Sequence, residues 1–364
     1  MLSATVIESV DGLDGVRADW DRLAAASNRP FVAPAWALAW WEHLRPPEAE
    51  LRVVVVSDED GALVGIGPFY AGRRSWALLA AGFSAAVAPL SEPGRETEVA
   101  REIAVALLAS SPRRSAIELQ QQASNPDWTS LLADALSEGR RSAWRLLVST
   151  APAPRIDLGD SGFDDWFAAK SSSFRRETRR KQRRLDDLGA EFRYATPETL
   201  EADIAHFLRL HRGRREGMGG SSLDGNGIED VLNAAARELL PVGRMSLLCL
   251  DVDGETVAVQ LFAAAGDELS AWNSGFDEQY AKASPSVQCI LRGLTDLAER
   301  GGRTMSLGPG GQDYKYRLAD DREEISNQIV VARGPGYLRT RGRLQGRHAG
   351  KALKRYASSL LSRD

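Results

Sequence analysis

The 364-residue sequence holds only two cysteines, Cys249 and Cys289, each inside an apolar run. That excludes a disulfide-stapled scaffold and leaves both as small core residues of a reduced, cytoplasmic protein. Histidine is nearly as scarce, with His43, His206, His211 and His348 as the full set. None lies at metal-ligand spacing from a cysteine or carboxylate, and His206 and His211, five apart on one expected helix, do not share a face. No metal is expected. Gly-x-Ser-x-Gly and Walker-type loops are absent, so hydrolase and nucleoside triphosphatase readings have no local support. The apolar runs Leu51–Val56 and Ala77–Ala81 are too short to cross a bilayer, so no integral membrane segment is expected. The opening MLSATVIESVDG has no charged region followed by a long apolar run, so no signal peptide is expected. The net charge of −4 supplies no overall attraction to nucleic acid.

Basic charge is plentiful only in places. Residues Arg333–Asp364 carry +8, leaving −12 for the rest, and Phe174–Asp187 holds seven Lys/Arg against three acids. At helical spacing, Arg175, Arg179 and Arg183 form one ladder and Arg176, Arg180 and Arg184 a second. Such a helix is either a solvated face or a phosphate-binding one. The segment Gly336–Ser362 reads as a basic tail, or as one that lies on anionic lipid or nucleic acid.

The length allows two domains. Periodicity gives the same order of elements twice: strand, helix, helix, three strands, helix, strand, helix, strand. The halves share order and not residues. In the first, a helix bearing Trp36, Trp40, Trp41 and Leu44 makes a heavy apolar stripe, assigned to the N-terminal half and expected near a domain interface. Ala151–Pro154 is the expected linker. In the second, Glu216–Gly227 is a glycine-rich loop, Met245–Val252 and Thr256–Ala264 form a hairpin, and Glu324–Val331 closes the sheet. The resulting division is 1–154, 155–335 and a basic tail 336–364.

The stretch Ala271–Arg317 carries the most chemistry. Leu269–Ser274 is a strand, and Tyr280–Ser284 a loop without a long aliphatic side chain. Pro285 suits a first helical turn, where its missing N–H costs nothing. Ser284 is the expected N-cap, its hydroxyl serving free amides that, with the helix dipole, form an anion site. The helix Val287–Arg300 buries a face through Val287, Ile290, Leu291, Leu294, Leu297 and Ala298. Gly301-Gly302 ends it, Thr304–Leu307 is a short strand, and a glycine-rich turn follows. Locally this is equally an ordinary β-α-β unit.

Several scattered motifs together resemble the GCN5-related N-acetyltransferase (GNAT) superfamily. The resemblance is to its two-copy CelD/BioF2-like form and, more distantly, to the FemABX peptidyltransferases. The motifs are Pro30-Phe31…Pro34…Trp36…Trp40-Trp41, Ser173-Phe174-Arg175-Arg176-Glu177…Arg179-Arg180…Arg183-Arg184-Leu185…Gly189, Ser221-Ser222, Gly275-Phe276-Asp277…Tyr280…Ser284-Pro285, and Gly301 and Gly308…Tyr314-Lys315. The resemblance implies an α/β (α+β) fold of tandem GNAT-like domains, each a mixed, mostly antiparallel sheet flanked by helices. It implies transfer of an acyl group from acetyl-CoA or another acyl-CoA to an amine acceptor, lodged between the domains. The superfamily loop Gln/Arg-x-x-Gly-x-Gly/Ala corresponds to Gln279, Lys282 and Ser284, with Lys282 where glycine is usual. Tyr280, Ala283, Ser286 and Val287 complete the implied donor loop. Gly82–Gly94 offers no such loop, so only the C-terminal copy would take donor.

The resemblance further implies an oxyanion donor from a main-chain amide near Trp272–Ser274 and a tyrosine acid for the leaving thiolate, here Tyr314. Tyr314 is otherwise a half-buried aromatic. Lys315 would hold a carboxylate or phosphate, and Asp313 would take a proton or cap a turn. Gln260, Trp272 and Asn273 line the implied acceptor cleft. The basic helix Arg175–Arg184 would meet coenzyme A, an acyl-carrier protein or tRNA. Two rival readings remain: a FemABX-like transferase using aminoacyl-tRNA, and a non-catalytic acyl-CoA-binding or other ligand-binding relative.

Overall fold

A computed structural model describes residues 1–137, 142–215, 223–334 and 336–347. Part of the expected loop Glu216–Gly227 (216–222), with Ser221-Ser222, and the tail beyond 347 lie outside the described residues. The first run of elements is β1 (Ser3–Ile7), α1 (Arg17–Ala26), α2 (Pro34–Leu44), β2 (Glu50–Ser57), β3 (Leu63–Ala71), β4 (Trp76–Leu78), β5 (Leu90–Ser91), α3 (Glu96–Ala109), β6 (Ala116–Ala123), α4 (Trp128–Ala135) and β7 (Trp144–Asp157). The second is α5 (Gly162–Ala169), α6 (Ser172–Asp186), β8 (Glu191–Tyr194), α7 (Leu200–Arg215), α8 (Ile228–Leu239), β9 (Met245–Val252), β10 (Glu255–Ala265), β11 (Glu268–Phe276), α9 (Pro285–Glu299), β12 (Thr304–Ser306), α10 (Asp313–Leu318) and β13 (Asp321–Val331).

The chain divides into two compact units. One gathers Met1–Leu23, Pro46–Thr150 and the residues from Ile325 onward; the other gathers Ala24–Arg45 and Ala151–Glu324. In the first unit β1, β2, β3 and β4 pair antiparallel in turn, β4 runs parallel to β6, and β13 pairs antiparallel with β6. The helix α3 makes the parallel crossover and packs hard on β3: a Cβ on Gly65 would come within 2.4 Å of a Val99 methyl. Glycine is required there by close approach.

The second unit repeats that scheme. β8, β9, β10 and β11 pair antiparallel in turn, and β11 runs parallel to β12 with α9 as the crossover. The end of β7 then pairs antiparallel with β12 through Arg155–Asp157. One face of this sheet packs on α5, α6, α9 and α10 through a core of Trp166, Phe174, Leu250, Phe262, Ile290 and Leu294. On the other face Trp272 of β11 meets Phe207 of α7 and Trp36 of α2, with ring centroids 6.4 and 5.2 Å apart. Both units are thus mixed, mostly antiparallel sheets flanked by helices.

Three expectations change. Glu324–Val331 does not close the second sheet: Ile325–Val331 pairs with β6 of the first. The Trp-rich helix α2 belongs to the second unit, where α8 is its main neighbour. Its first eight residues are all buried, because a helix apolar on every side needs cover all round. Finally, Ala151–Pro154 is not a linker; it is the middle of β7. Proline lacks only the donor, and here the acceptors are used: Pro154 and Pro152 carbonyls take the N–H groups of Leu307 and Gly310, each at 2.9 Å.

Candidate functional site

The site is built where β11 and β12 part. Their parallel pairing covers Glu268, Leu269 and Ser270 opposite Thr304, Met305 and Ser306, and stops there. β11 runs on to Phe276. Beyond Ser306 the next strand partners lie on β7, through the Leu307 and Gly310 amides. Among the described residues the β11–β12 ladder therefore ends at Ser270 and Ser306, while β11 continues past it.

At this parting β11 carries a bulge. Against β10 the register steps from Leu261 opposite Asn273 to Phe262 opposite Ala271, so Trp272 is the inserted residue. A bulge turns a main-chain group out of the ladder and shifts the pleat. Ala271 and Phe276 accordingly both pack with the core under α9, although an odd separation would place them on opposite faces of a regular strand. The buried Gln260 braces the distortion, its Nε2 donating to the Asn273 carbonyl at 3.0 Å and the Leu261 carbonyl at 2.9 Å. Gln260, Trp272 and Asn273 are therefore brought together, with Gln260 committed to the backbone and the Trp272 ring within an aromatic group.

The loop that follows is a 3-10 turn, Glu278–Ala283. Asp277 caps it by accepting the Gln279 N–H at 3.0 Å, and the Gln279 amide returns to the same carboxylate at 3.1 Å. Tyr280 is half-buried against the core, Lys282 is exposed, and Ala283 is buried. Ser284 is left-handed (φ 52°, ψ 59°) and makes no side-chain cap, contrary to the expected hydroxyl N-cap. Its carbonyl instead takes the Val287 and Gln288 N–H groups at 3.0 and 3.2 Å, and its own N–H goes to Ala281. The cradle of free amides is thus narrower than the sequence suggested. What remains is the Ser286 hydroxyl in the first turn of α9: it is buried without a hydrogen-bond partner. An orphaned hydroxyl at the positive end of a 15-residue helix fits an anionic group of a bound molecule.

Val287 and Gln288 form one wall of a groove shared with α6 and α10, where Thr178, Tyr314 and Arg317 also line it. Tyr314 is half-buried. Its neighbour Lys315 is buried, and its Nζ donates to the Gly308 and Pro309 carbonyls at 3.2 and 3.0 Å. That ties the glycine-rich turn to α10. Asp313 is exposed at the start of α10.

Sequence reasoning missed the ion cluster at this groove. Glu177 of α6 binds Lys181 at 2.7 Å and Arg317 of α10 at 2.5 Å. Arg317 first, and then Lys181, hold the Glu177 carboxyl down at about 2. Glu177 and Lys181 were legible as an i, i+4 pair; Arg317 was not, since it arrives by tertiary packing. Arg184 of α6 reaches the Lys282 carbonyl at 2.9 Å, so the basic helix is attached to the loop. Arg176, Arg180 and Arg183 are exposed on the same helix. Among the described residues no group of His, Cys, Asp or Glu is arranged to hold a metal, and no helix is long and apolar enough to cross a membrane.

Residues 172–316 match the family model described as an acetyltransferase (GNAT) domain. No curated protein matches the chain. Among solved structures the chain is similar to FemX, at 10% identity and TM-score 0.63 over 86% of this chain and 95% of that one. It is also similar to the C-terminal domain of a putative lysylphosphatidylglycerol synthetase from Agrobacterium fabrum, at 13% identity and TM-score 0.55 over 87% and 91%. A conserved protein of unknown function from Bacteroides thetaiotaomicron gives 11% and 0.57 over 90% and 99%.

Proposed function

From a chain whose residues 172–316 match a GNAT domain model and whose fold is similar to that of FemX, we propose a GNAT-type N-acyltransferase that moves an acetyl or longer acyl group from a coenzyme A thioester to an amine. The observation that carries this reading is the parting of β11 from β12 beside the Trp272 bulge, with the α9 first turn one 3-10 turn further along the chain. The length of β11 beyond its ladder with β12 suits the amide-rich arm of an acyl-coenzyme A, which would lie along it as a short strand. The orphaned Ser286 hydroxyl and the dipole of α9 suit its phosphates.

In the proposed reaction the neutral amine nitrogen attacks the thioester carbonyl carbon. The developing oxyanion is met by a main-chain N–H at the Trp272–Ser274 bulge. The C–S bond then breaks as the C–N bond is completed. Tyr314 gives its phenolic proton to the departing sulfur, and the proton lost from the amine goes to Asp313 or to water. Gln260 and Asn273 hold the bulge in place, Lys315 fixes the turn beside Tyr314, and Gln279, Lys282 and Ala283 shape the loop over the phosphates. The two cysteines, both free and buried, suit a reduced cytoplasmic setting.

The test is Tyr314→Phe in an acyl-transfer assay. Loss of the acid lowers kcat about a hundredfold or more with donor binding kept; unchanged kcat removes Tyr314 from the mechanism. A second reading, aminoacyl transfer from tRNA, is favoured by the exposed Arg176, Arg180 and Arg183. It requires donor affinity that falls far more steeply with salt than that of coenzyme A, whose few phosphates make few ionic contacts.

A further inference from the structure

The ion cluster of the groove joins α6 to α10. Lys181 and Arg317 are cations from two elements, α6 and α10, and one carboxylate, Glu177, sits between them. The carboxylate side chain is 32% exposed and those of its partners 20% and 47%, so the cluster stands at the groove mouth and is open to exchange. A solvent-accessible ion pair of this sort is weak, because water screens it. A phosphate has more charge and more acceptor oxygens than a carboxylate, and it matches an arginine fork as well. The groove also contains Gln288 and Tyr314.

We propose that Lys181 and Arg317 form a phosphate subsite for the donor, and that Glu177 is the occupant which a donor phosphate displaces. This rests on the acyl-transfer reading and adds its specificity element. Glu177 satisfies the cations when no donor is present and sets a threshold that only a phosphate-bearing donor passes. A neutral pantetheine thioester gains nothing from the subsite. The helix α6 then serves the donor through its groove side, while Arg184 anchors it to the donor loop.

The experiment is calorimetric titration of wild type, Glu177→Gln, and Glu177→Gln combined with Arg317→Ala, using adenosine 3′,5′-bisphosphate, coenzyme A and pantetheine. The subsite predicts bisphosphate and coenzyme A binding about three- to tenfold tighter in Glu177→Gln. Pantetheine binding stays unchanged, and Arg317→Ala removes the gain. Bisphosphate binding that is weaker, unchanged or undetectable in Glu177→Gln overturns the subsite. Acyl transfer by wild type without that gain sinks the subsite and leaves the acyltransferase standing. A gain without transfer to any amine does the reverse.

Discussion

Gly275 faces the backbone of α7. A Cβ there would lie 2.4 Å from the His211 nitrogen and 2.7 Å from the Leu210 carbonyl carbon, neither of which can swing aside. Gly275→Ala therefore costs about 2 kcal/mol or more by overpacking, measured as a drop in the denaturation midpoint; an unchanged midpoint would mean that α7 shifts freely. The motif Gly275-Phe276-Asp277 was visible in the sequence, and so was the Tyr314-Lys315 pair. The reasons for them were not. Asp277 caps the next turn, Gly275 admits a helix, and Lys315 binds two carbonyls of the glycine-rich turn. The Gly275 contact is a tertiary relation that local pattern cannot express, and the other two depend on how a short turn folds back on itself. The Ser284 hydroxyl cap failed for a local reason: the left-handed backbone at that residue gives the capping role to its carbonyl.

At the scale of elements, α9 was legible because its apolar positions repeat at helical spacing and proline marks its start. The bulge of β11 was not, since it is a matter of register between two strands. The basic helix α6 was ambiguous in sequence, and the structure sorts its arginines. Arg184 holds the Glu278–Ala283 turn and Arg175 turns back onto the Ala168 and Lys170 carbonyls, while Arg176, Arg180 and Arg183 stay exposed. The attachment of α6 to α10 through Glu177 is pH-dependent. The Glu177 carboxyl is depressed from 4.5 to about 2. Its contribution is therefore whole above the ordinary carboxylate range and is lost as pH falls through about 2. Because the carboxylate is a third exposed, the contribution is small. Hydrogen-exchange protection in α6, taken relative to the intrinsic rate at each pH from 5 to 2, falls more in wild type than in Glu177→Gln. An equal fall in the two would remove the ion cluster from the docking of α6.

For the whole molecule, each unit takes its closing strand from the other run of the chain: Ile325–Val331 in the first, Arg155–Asp157 in the second. The order of elements announced two copies of one scheme. The exchange of strands stayed hidden, because strands this far apart in sequence pair by topology and not by pattern. A cut at 154/155 would leave residues 1–154 without Ile325–Val331, and residues 155–364 without the buried helix α2. Neither fragment should unfold cooperatively alone, whereas co-expression should restore a cooperative transition; two separately cooperative fragments would contradict the exchange. The central claim, that donor enters the parting of β11 and β12, is tested most directly by hydrogen exchange with and without acetyl-coenzyme A. The account predicts slowed exchange at Ala271–Phe276 and in the first turn of α9. Protection confined to other segments, or none at saturating donor, would contradict it.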